Sequence, residues 1–163
     1  MKQPFRTGFG FDVHAFAKDR KLIIGGIEIA NDMGLLGHSD ADVLLHAICD
    51  AMLGALSLGD IGMHFPETDK RYKDADSSEL LRIVNNLIKE KGYIFGNLDA
   101  MIAMEKPRIA PFIPAMKEKI SLIIGCDEDQ ISIKASTTEK LGFIGRGEGV
   151  SAFASVLLVN GDK

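Results

Sequence analysis

Residues 40 to 57 carry the feature that most restricts how this chain can fold. Val43, Leu44, Leu45, Ala47, Ile48, Ala51, Met52 and Leu53 make a helical run that is apolar on nearly every side. Its polar members, Asp42, His46 and Asp50, recur every fourth residue and fall on one stripe. Taken alone, that stripe reads equally well as a narrow solvent face or as the edge of a site. Ser39 or Asp40 can cap the start of the helix, and Gly59 follows its end.

The other elements follow from periodicity and punctuation. Residues 9–16 read as a strand, and residues 21–29 as a second strand bent at Gly25-Gly26. A polar turn over residues 17–20 suggests that the two form an antiparallel hairpin. Residues 60–75 read as a long polar loop, a kind of segment that often carries function. Asp76-Ser77-Ser78-Glu79 opens a second helix with a capping-box pattern, and Gly92 closes it. Residues 93–104 read as a strand interrupted by Gly96, and residues 111–124 as a helix with prolines in its first turn and Gly125 at its end. Residues 130–136 and 150–159 complete the set as strands. The order ββ, α, α, β, α, β, β predicts an α+β fold: one domain spanning residues 1–163, a mixed β-sheet with helices layered on one face.

Composition removes several function classes. The chain has 163 residues, of which 46% are hydrophobic and 26% charged, with a net charge of −4. That length suits one domain with a real core. Lys and Arg are scattered among acids, so no nucleic-acid footprint is expected. The longest apolar stretch, residues 43–58, is broken by His46 and Asp50, and no membrane span is expected. Met1-Lys2-Gln3-Pro4 lacks the apolar core of a signal peptide. Cys49 and Cys126 make no disulfide framework, which points to a reducing cytoplasm.

Asp12 and His14 are two apart on a predicted strand and share a face. A D-x-H pair alone is most simply an exposed strand face, but His46 on the helix stripe offers a second imidazole. Two His and one carboxylate make an open metal site, suited to zinc or to non-haem Fe(II). His38 precedes the helix, where free backbone N–H groups favour anions. His64 reads as structural. Ser136-Thr137-Thr138-Glu139 follows a strand; its hydroxyls suit phosphate and its carboxylate a hard cation, although a capped turn explains it equally. Gly145-Arg146-Gly147-Glu148-Gly149 has neither Walker nor dinucleotide-binding spacing.

Four segments, in order, resemble the 2-C-methyl-D-erythritol 2,4-cyclodiphosphate synthase family, and the resemblance covers nearly the whole chain. The family's G-x-G-x-D-x-H pattern is similar to Gly8-Phe9-Gly10-Phe11-Asp12-Val13-His14. Its S-D-x-D-x-x-x-H-x-x-x-D-A motif is similar to Ser39 through Ala51, its G-D-I-G-x-x-F-P loop to Gly59 through Pro66, and its T-T-E-K-L-G-F-x-G-R-G-E-G run to Thr137 through Gly149.

The resemblance implies roles. Asp12, His14 and His46 match zinc ligands, a position another divalent transition metal can fill. Glu139 matches the carboxylate for magnesium or manganese on a diphosphate. His38 and Ser39 match a phosphate-contacting loop, and Asp60 and Gly62 the part that holds methylerythritol. The segment from Met104 through Pro107 and Arg108 to Ala110 matches the one that closes over cytosine. Arg108 stands where some relatives carry Lys, and Ser136 where Thr is common. Ser136 and Thr137 match diphosphate contacts; His38 and Thr137 are the expected catalytic groups. The implied substrate is a cytidine-diphosphate-linked small molecule cyclised by intramolecular phosphoryl transfer, and the implied assembly is a homotrimer. An isoprenoid diphosphate is expected in its central cavity, gripped by Arg146 with Phe143 or Phe9 lining it. The rival readings are a non-haem iron oxygenase and a non-catalytic metal-binding module.

Overall fold

In the computed structural model, which describes residues 3–161, the alternating N-terminal segment forms a long strand, β1 (Phe5–Ala17). Met1 and Lys2 of the segment read for a signal sequence lie outside the described residues. The expected hairpin partner of β1 goes elsewhere. Residues 21–29 split into β2 (Leu22–Ile24) and β3 (Ile27–Ile29), which pair only with each other. The physical reason is Gly25-Gly26: both take positive φ, 62° and 73°, as a two-residue hairpin turn requires. The pair therefore turns the chain back on itself. A two-residue strand missed in the sequence, β4 (Gly34–Leu35), takes the edge of β1 instead.

Helix α1 (Val43–Ala55) is the predicted apolar helix, and its buried residues lie all around it. Its cap is Asp42, not Ser39 or Asp40. The Asp42 carboxylate accepts from the backbone N–H of Leu44 (3.1 Å) and Leu45 (3.0 Å), and also from Gly25 (2.9 Å) and Gly26 (2.6 Å). One fully buried carboxylate thus ties the β2–β3 turn to the start of α1. Its burial pushes its pKa up to about 6.

The loop after α1 is partly ordered into a short helix, α2 (Ile61–His64), and a 3₁₀ turn at Lys70–Tyr72. Helix α3 (Ser77–Glu90) begins at Asp76, whose carboxylate accepts from Ser78 N–H at 2.8 Å. Glu79 is ion-paired to Arg82. Strand β5 (Tyr93–Ala103) is bulged between Phe95 and Asn97, where Gly96 interrupts it. Helix α4 (Ile113–Ile124) ends at left-handed Gly125, and β6 (Ile131–Ser136) follows. A four-residue helix missed in the sequence, α5 (Gly142–Gly145), precedes β7 (Gly149–Asn160).

The main sheet has the order β4-β1-β7-β5-β6, antiparallel except for the parallel β5–β6 pair. This is the expected mixed sheet. Helix α1 packs on β1 and β7, α3 packs on α1, and α4 packs on α3. Among the described residues nothing covers the opposite face of the sheet: Phe9, Phe11, Val13 and Phe153 expose 67, 45, 42 and 36% of their surface. No helix among the described residues is long and apolar enough to cross a membrane.

Candidate metal centre

The N-terminal G-x-G pattern explains how the helix comes close enough to β1 to build a site. A Cβ on Gly8 would lie 1.8 Å from the Ala51 carbonyl oxygen, and one on Gly10 would lie 1.9 Å from that of Ala47. Only glycine lets the helix backbone lie directly against the strand. Small residues on the facing helix side, Ala47, Ala51 and Ala55, complete the contact.

One step further along β1, Asp12 and His14 project toward the same helix, as predicted, and meet His46. Asp12 Oδ2 lies 3.0 Å from His14 Nε2 and 3.0 Å from His46 Nδ1, and the two nitrogens are 3.2 Å apart. Tetrahedral zinc with bonds of 2.0–2.1 Å separates its ligand atoms by about 3.3 Å, so the cluster has the right size. The outer ring nitrogens are also engaged. His14 Nδ1 lies 2.7 Å from the Leu36 carbonyl, and His46 Nε2 lies 2.9 Å from Ser77 Oγ and 3.2 Å from Ser39 Oγ. These contacts orient both rings so that one nitrogen of each is left for an ion. The donor set and its spacing fit a divalent metal with a further position open.

Electrostatics follow from the crowding. Burial opposes charge on Asp12, but hydrogen bonds from His14 and His46 outweigh it and bring its pKa down to about 2. Burial likewise disfavours charge on His14, yet the bond to Asp12 raises its pKa above the usual 6.5. Asp50, the third member of the helix stripe, accepts from Ile61 N–H at 2.7 Å and anchors the following loop. Its pKa is raised by burial, an effect opposed by that N–H.

His38, Ser39 and Gly62 line a cavity of about 180 Å³ together with Asp12, His14 and His46. In it, His38 Nε2 is buried and has no hydrogen-bond partner among the described residues, so a polar atom is open to a ligand group. Asp60 does not line this cavity; its carboxylate caps α2, accepting from Met63 N–H at 2.9 Å. His64 Nε2–H donates to the Leu58 carbonyl oxygen at 2.9 Å, in keeping with a structural role.

A second cavity, of about 350 Å³, is lined by Met104, Pro107, Arg108, Ala110, Ser136 and Thr137. Beside it, Glu139 is exposed and accepts from Thr137 Oγ1 at 3.1 Å. These residues do not meet the Asp12 cluster within one chain: β7 and β5 stand between β1 and β6, a lateral span of about 14 Å at normal strand spacing. Phe143 is exposed. Arg146 makes a two-point ion pair with Glu148, at 2.7 and 3.1 Å, at the rim of a third cavity of about 810 Å³.

Sequence reasoning missed Glu105. Its Oε1 accepts from Thr138 N–H (3.0 Å) and Lys140 N–H (3.2 Å), pinning a turn in which Glu139 and Lys140 adopt positive φ of 52° and 65°. It missed Asp40 and Ser77 as well. The S-D-x-D spelling and the cap before α3 were visible, but nothing local shows that the two segments meet.

Fold and site together define a metal-dependent α+β enzyme, built on one mixed sheet and using a divalent cation. Residues 5–159 match the YgbB family. The 2-C-methyl-D-erythritol 2,4-cyclodiphosphate synthase of Geobacter sulfurreducens is 59% identical over 153 residues, 94% of this chain and 98% of that protein. The IspF of Plasmodium falciparum, solved as a CDP complex, superposes with a TM-score of 0.86 at 36% identity, over 98% of this chain and 99% of that one. The bifunctional IspDF of Campylobacter jejuni gives 0.92 at 45% identity over 96% of this chain, which spans 42% of that longer protein. The chain belongs to the YgbB family of cyclodiphosphate synthases.

Proposed function

We infer that the chain converts 4-diphosphocytidyl-2-C-methyl-D-erythritol 2-phosphate to 2-C-methyl-D-erythritol 2,4-cyclodiphosphate in non-mevalonate isoprenoid synthesis. It is a phosphorus–oxygen lyase: the substrate's 2-phosphate oxygen attacks its own β-phosphorus, the bond from that phosphorus to the α–β bridging oxygen breaks, and CMP leaves. The observation that carries this reading is the Asp12–His14–His46 cluster in a chain of this family. The iron-oxygenase alternative is not supported: the relatives are cyclodiphosphate synthases. A binding-only module leaves the Thr137–Gly149 match unexplained.

When bound, zinc at Asp12, His14 and His46, and magnesium or manganese at Glu139, supply positive charge against the diphosphate and polarise the phosphorus under attack. The chain's own residues supply position. The unpartnered His38 Nε2 suits a phosphate oxygen, with Ser39 beside it. Ile61 and Gly62 form the wall where methylerythritol would lie. The CDP complex of the Plasmodium relative supports a cytidine-diphosphate-linked substrate; we assign its cytosine to the Met104–Ala110 cavity, with Ser136 and Thr137 toward the diphosphate. No residue of the chain needs to act as a nucleophile, so orientation and charge carry the rate.

The separated half-sites support a composite site in a homotrimer, one copy giving the metal cluster and its neighbour the cytosine cavity and Glu139. The bare aromatic sheet face supports the same reading, since patches of this kind mark interfaces. Phe9 on that face, and Arg146 and Phe143 near the α5–β7 turn, are the groups we assign to an isoprenoid diphosphate on the trimer axis. Two free cysteines, Cys49 and Cys126, support a reducing cytoplasm. We assign the whole of residues 1–163 to this one catalytic domain.

The test is CMP release. Wild-type protein with zinc and magnesium turns over. His46→Ala loses both zinc and CMP release while the fold stays intact, and Glu139→Gln keeps zinc but needs more magnesium. Full turnover after complete metal removal refutes the reading.

A further inference from the structure

We propose that Asp40 and Ser77 are positioning residues for the metal centre: they hold His46 as its Nε2–H tautomer, so that Nδ1 offers its lone pair toward Asp12 and His14. The proposal rests on reading that cluster as a metal site.

Ser77 is fully buried at the start of α3, and its Oγ lies 2.5 Å from Asp40 Oδ1. The same carboxylate accepts from Ser77 N–H at 3.0 Å and from Asp42 N–H at 3.2 Å. An ionised carboxylate only accepts, and a serine hydroxyl has one proton. That proton therefore lies between Ser77 and Asp40, and Ser77 Oγ turns a lone pair toward His46. At 2.9 Å, His46 Nε2 must then carry the hydrogen. Were it otherwise, Ser77 and Asp40 would face each other with no proton between them. The more distant Ser39 Oγ, at 3.2 Å, already accepts from Ala41 N–H and is the weaker partner.

With an ion bound, the two imidazoles are thus set in opposite senses; in the metal-free cluster the same two nitrogens can instead carry hydrogen and donate to Asp12. His14 gives its Nδ1 hydrogen to the Leu36 carbonyl and leaves Nε2 free; His46 gives its Nε2 hydrogen to Ser77 and leaves Nδ1 free. Both free nitrogens face Asp12 Oδ2. His14 relies on a backbone carbonyl. His46 relies on two side chains, one just before α1 and one opening α3, so the centre is complete only when these two helices are docked.

Zinc affinity, read by competition with a chromophoric chelator, tests this without reference to turnover. Ser77→Ala and Asp40→Asn are expected to weaken zinc binding by about 10- to 100-fold, the usual effect of losing an outer partner of a metal-bound histidine. Ser77→Thr restores the hydroxyl and is expected to restore affinity. In a His46→Ala background, Ser77→Ala is expected to cost nothing further. In the zinc-loaded wild type, ¹⁵N-histidine NMR is expected to place the His46 proton on Nε2, exchanging slowly with solvent; this needs no variant to fold. A His46 proton on Nδ1 overturns the proposal. So does unchanged affinity in folded Ser77→Ala together with a large loss in His46→Ala, a result that leaves the metal-centre reading standing. If His46→Ala itself binds zinc normally, the metal-centre reading falls, and this proposal with it.

Discussion

Replacing Gly10 with alanine adds a single methyl group and tests whether the G-x-G pattern builds the metal site. Gly10 sits in a regular strand with no unusual φ, so the backbone itself tolerates alanine. The new Cβ, however, would lie 1.9 Å from the Ala47 carbonyl oxygen and 2.7 Å from Ala51 N, both backbone atoms that cannot swing aside. To reach ordinary contact at 3.4 Å, α1 must retreat by about 1.5 Å. His46 is next to Ala47, and its 3.0 Å approach to Asp12 opens with that retreat. Metal–ligand distances tolerate about 0.2 Å, so His46 ceases to be a useful ligand. Overpacking of this kind costs about 1–3 kcal/mol, which for a chain of this size lowers Tm by roughly 2–12 °C. Zinc affinity should fall by at least about 100-fold, more than the loss of an outer partner. Gly54→Ala is the control: in the last turn of α1 its Cβ meets nothing closer than Phe9 O at 3.9 Å, so it should be neutral or stabilise by at most about 0.5 kcal/mol. Calorimetry with and without chelator, together with zinc competition, measures both effects. A Gly10→Ala protein with wild-type Tm and zinc affinity refutes the argument.

The pH dependence of the metal-free cluster has a definite sign. His14's raised pKa means that its stabilising contact with Asp12 is fully present below 6.5 and is lost as pH rises through the higher folded value; Asp12's contribution is present above 3.8 and is lost as pH falls toward about 2. Protons compete with zinc for His14, so affinity should already decline as pH falls through the region just above 6.5; an NMR titration giving His14 a pKa at or below 6.5 contradicts this. Phe11→Asp puts a charge on the bare sheet face and should abolish assembly and turnover while circular dichroism stays unchanged; a fully active monomer in light scattering overturns the composite-site reading. Glu105→Ala removes the acceptor for Thr138 and Lys140 N–H, and should speed hydrogen exchange there and raise the magnesium requirement roughly tenfold. Unchanged exchange at both amides rules out the clamp.

The parts of the fold legible in the sequence were those fixed by local periodicity. Helix α1, the shared face of Asp12 and His14, the strand interrupted at Gly96 and the Gly125 terminus all follow from neighbours a few residues apart. The misplaced partner of β1 was a pairing question: Gly25-Gly26 reads locally as a bend, and only its left-handed φ values show that it closes a hairpin of its own. The cap of α1 was misread for a related reason. Ser39, Asp40 and Asp42 are all acceptable caps by type, and the choice falls on Asp42 because Gly25 and Gly26 bring two further N–H groups to it across 16 to 17 residues of sequence.

The site divides along the same line. Asp12, His14 and His46 were nameable because a strand period and a helix period each aim a side chain in a known direction. What holds them was not, because each support is a long-range contact made by a residue with an adequate local explanation. Ser77 reads as part of a helix cap and Asp40 as another cap, Gly10 is one letter of a motif, and nothing local marks Glu105. In the structure Ser77 and Asp40 orient His46, Glu105 pins the turn that carries Glu139, and Gly10 sets the distance at which the helix lies. Residues that bear the chemistry are thus marked by type and spacing, whereas those that fix its geometry are marked only by what they touch. One contact stays open by the same logic: the cavity lined by Met104, Pro107 and Ser136 lies about three strand spacings from the metal cluster, and among the described residues nothing covers the aromatic face of the sheet. One second copy seated on that face would bury the aromatics and bring the other half of the site within reach, so the two gaps support the same answer.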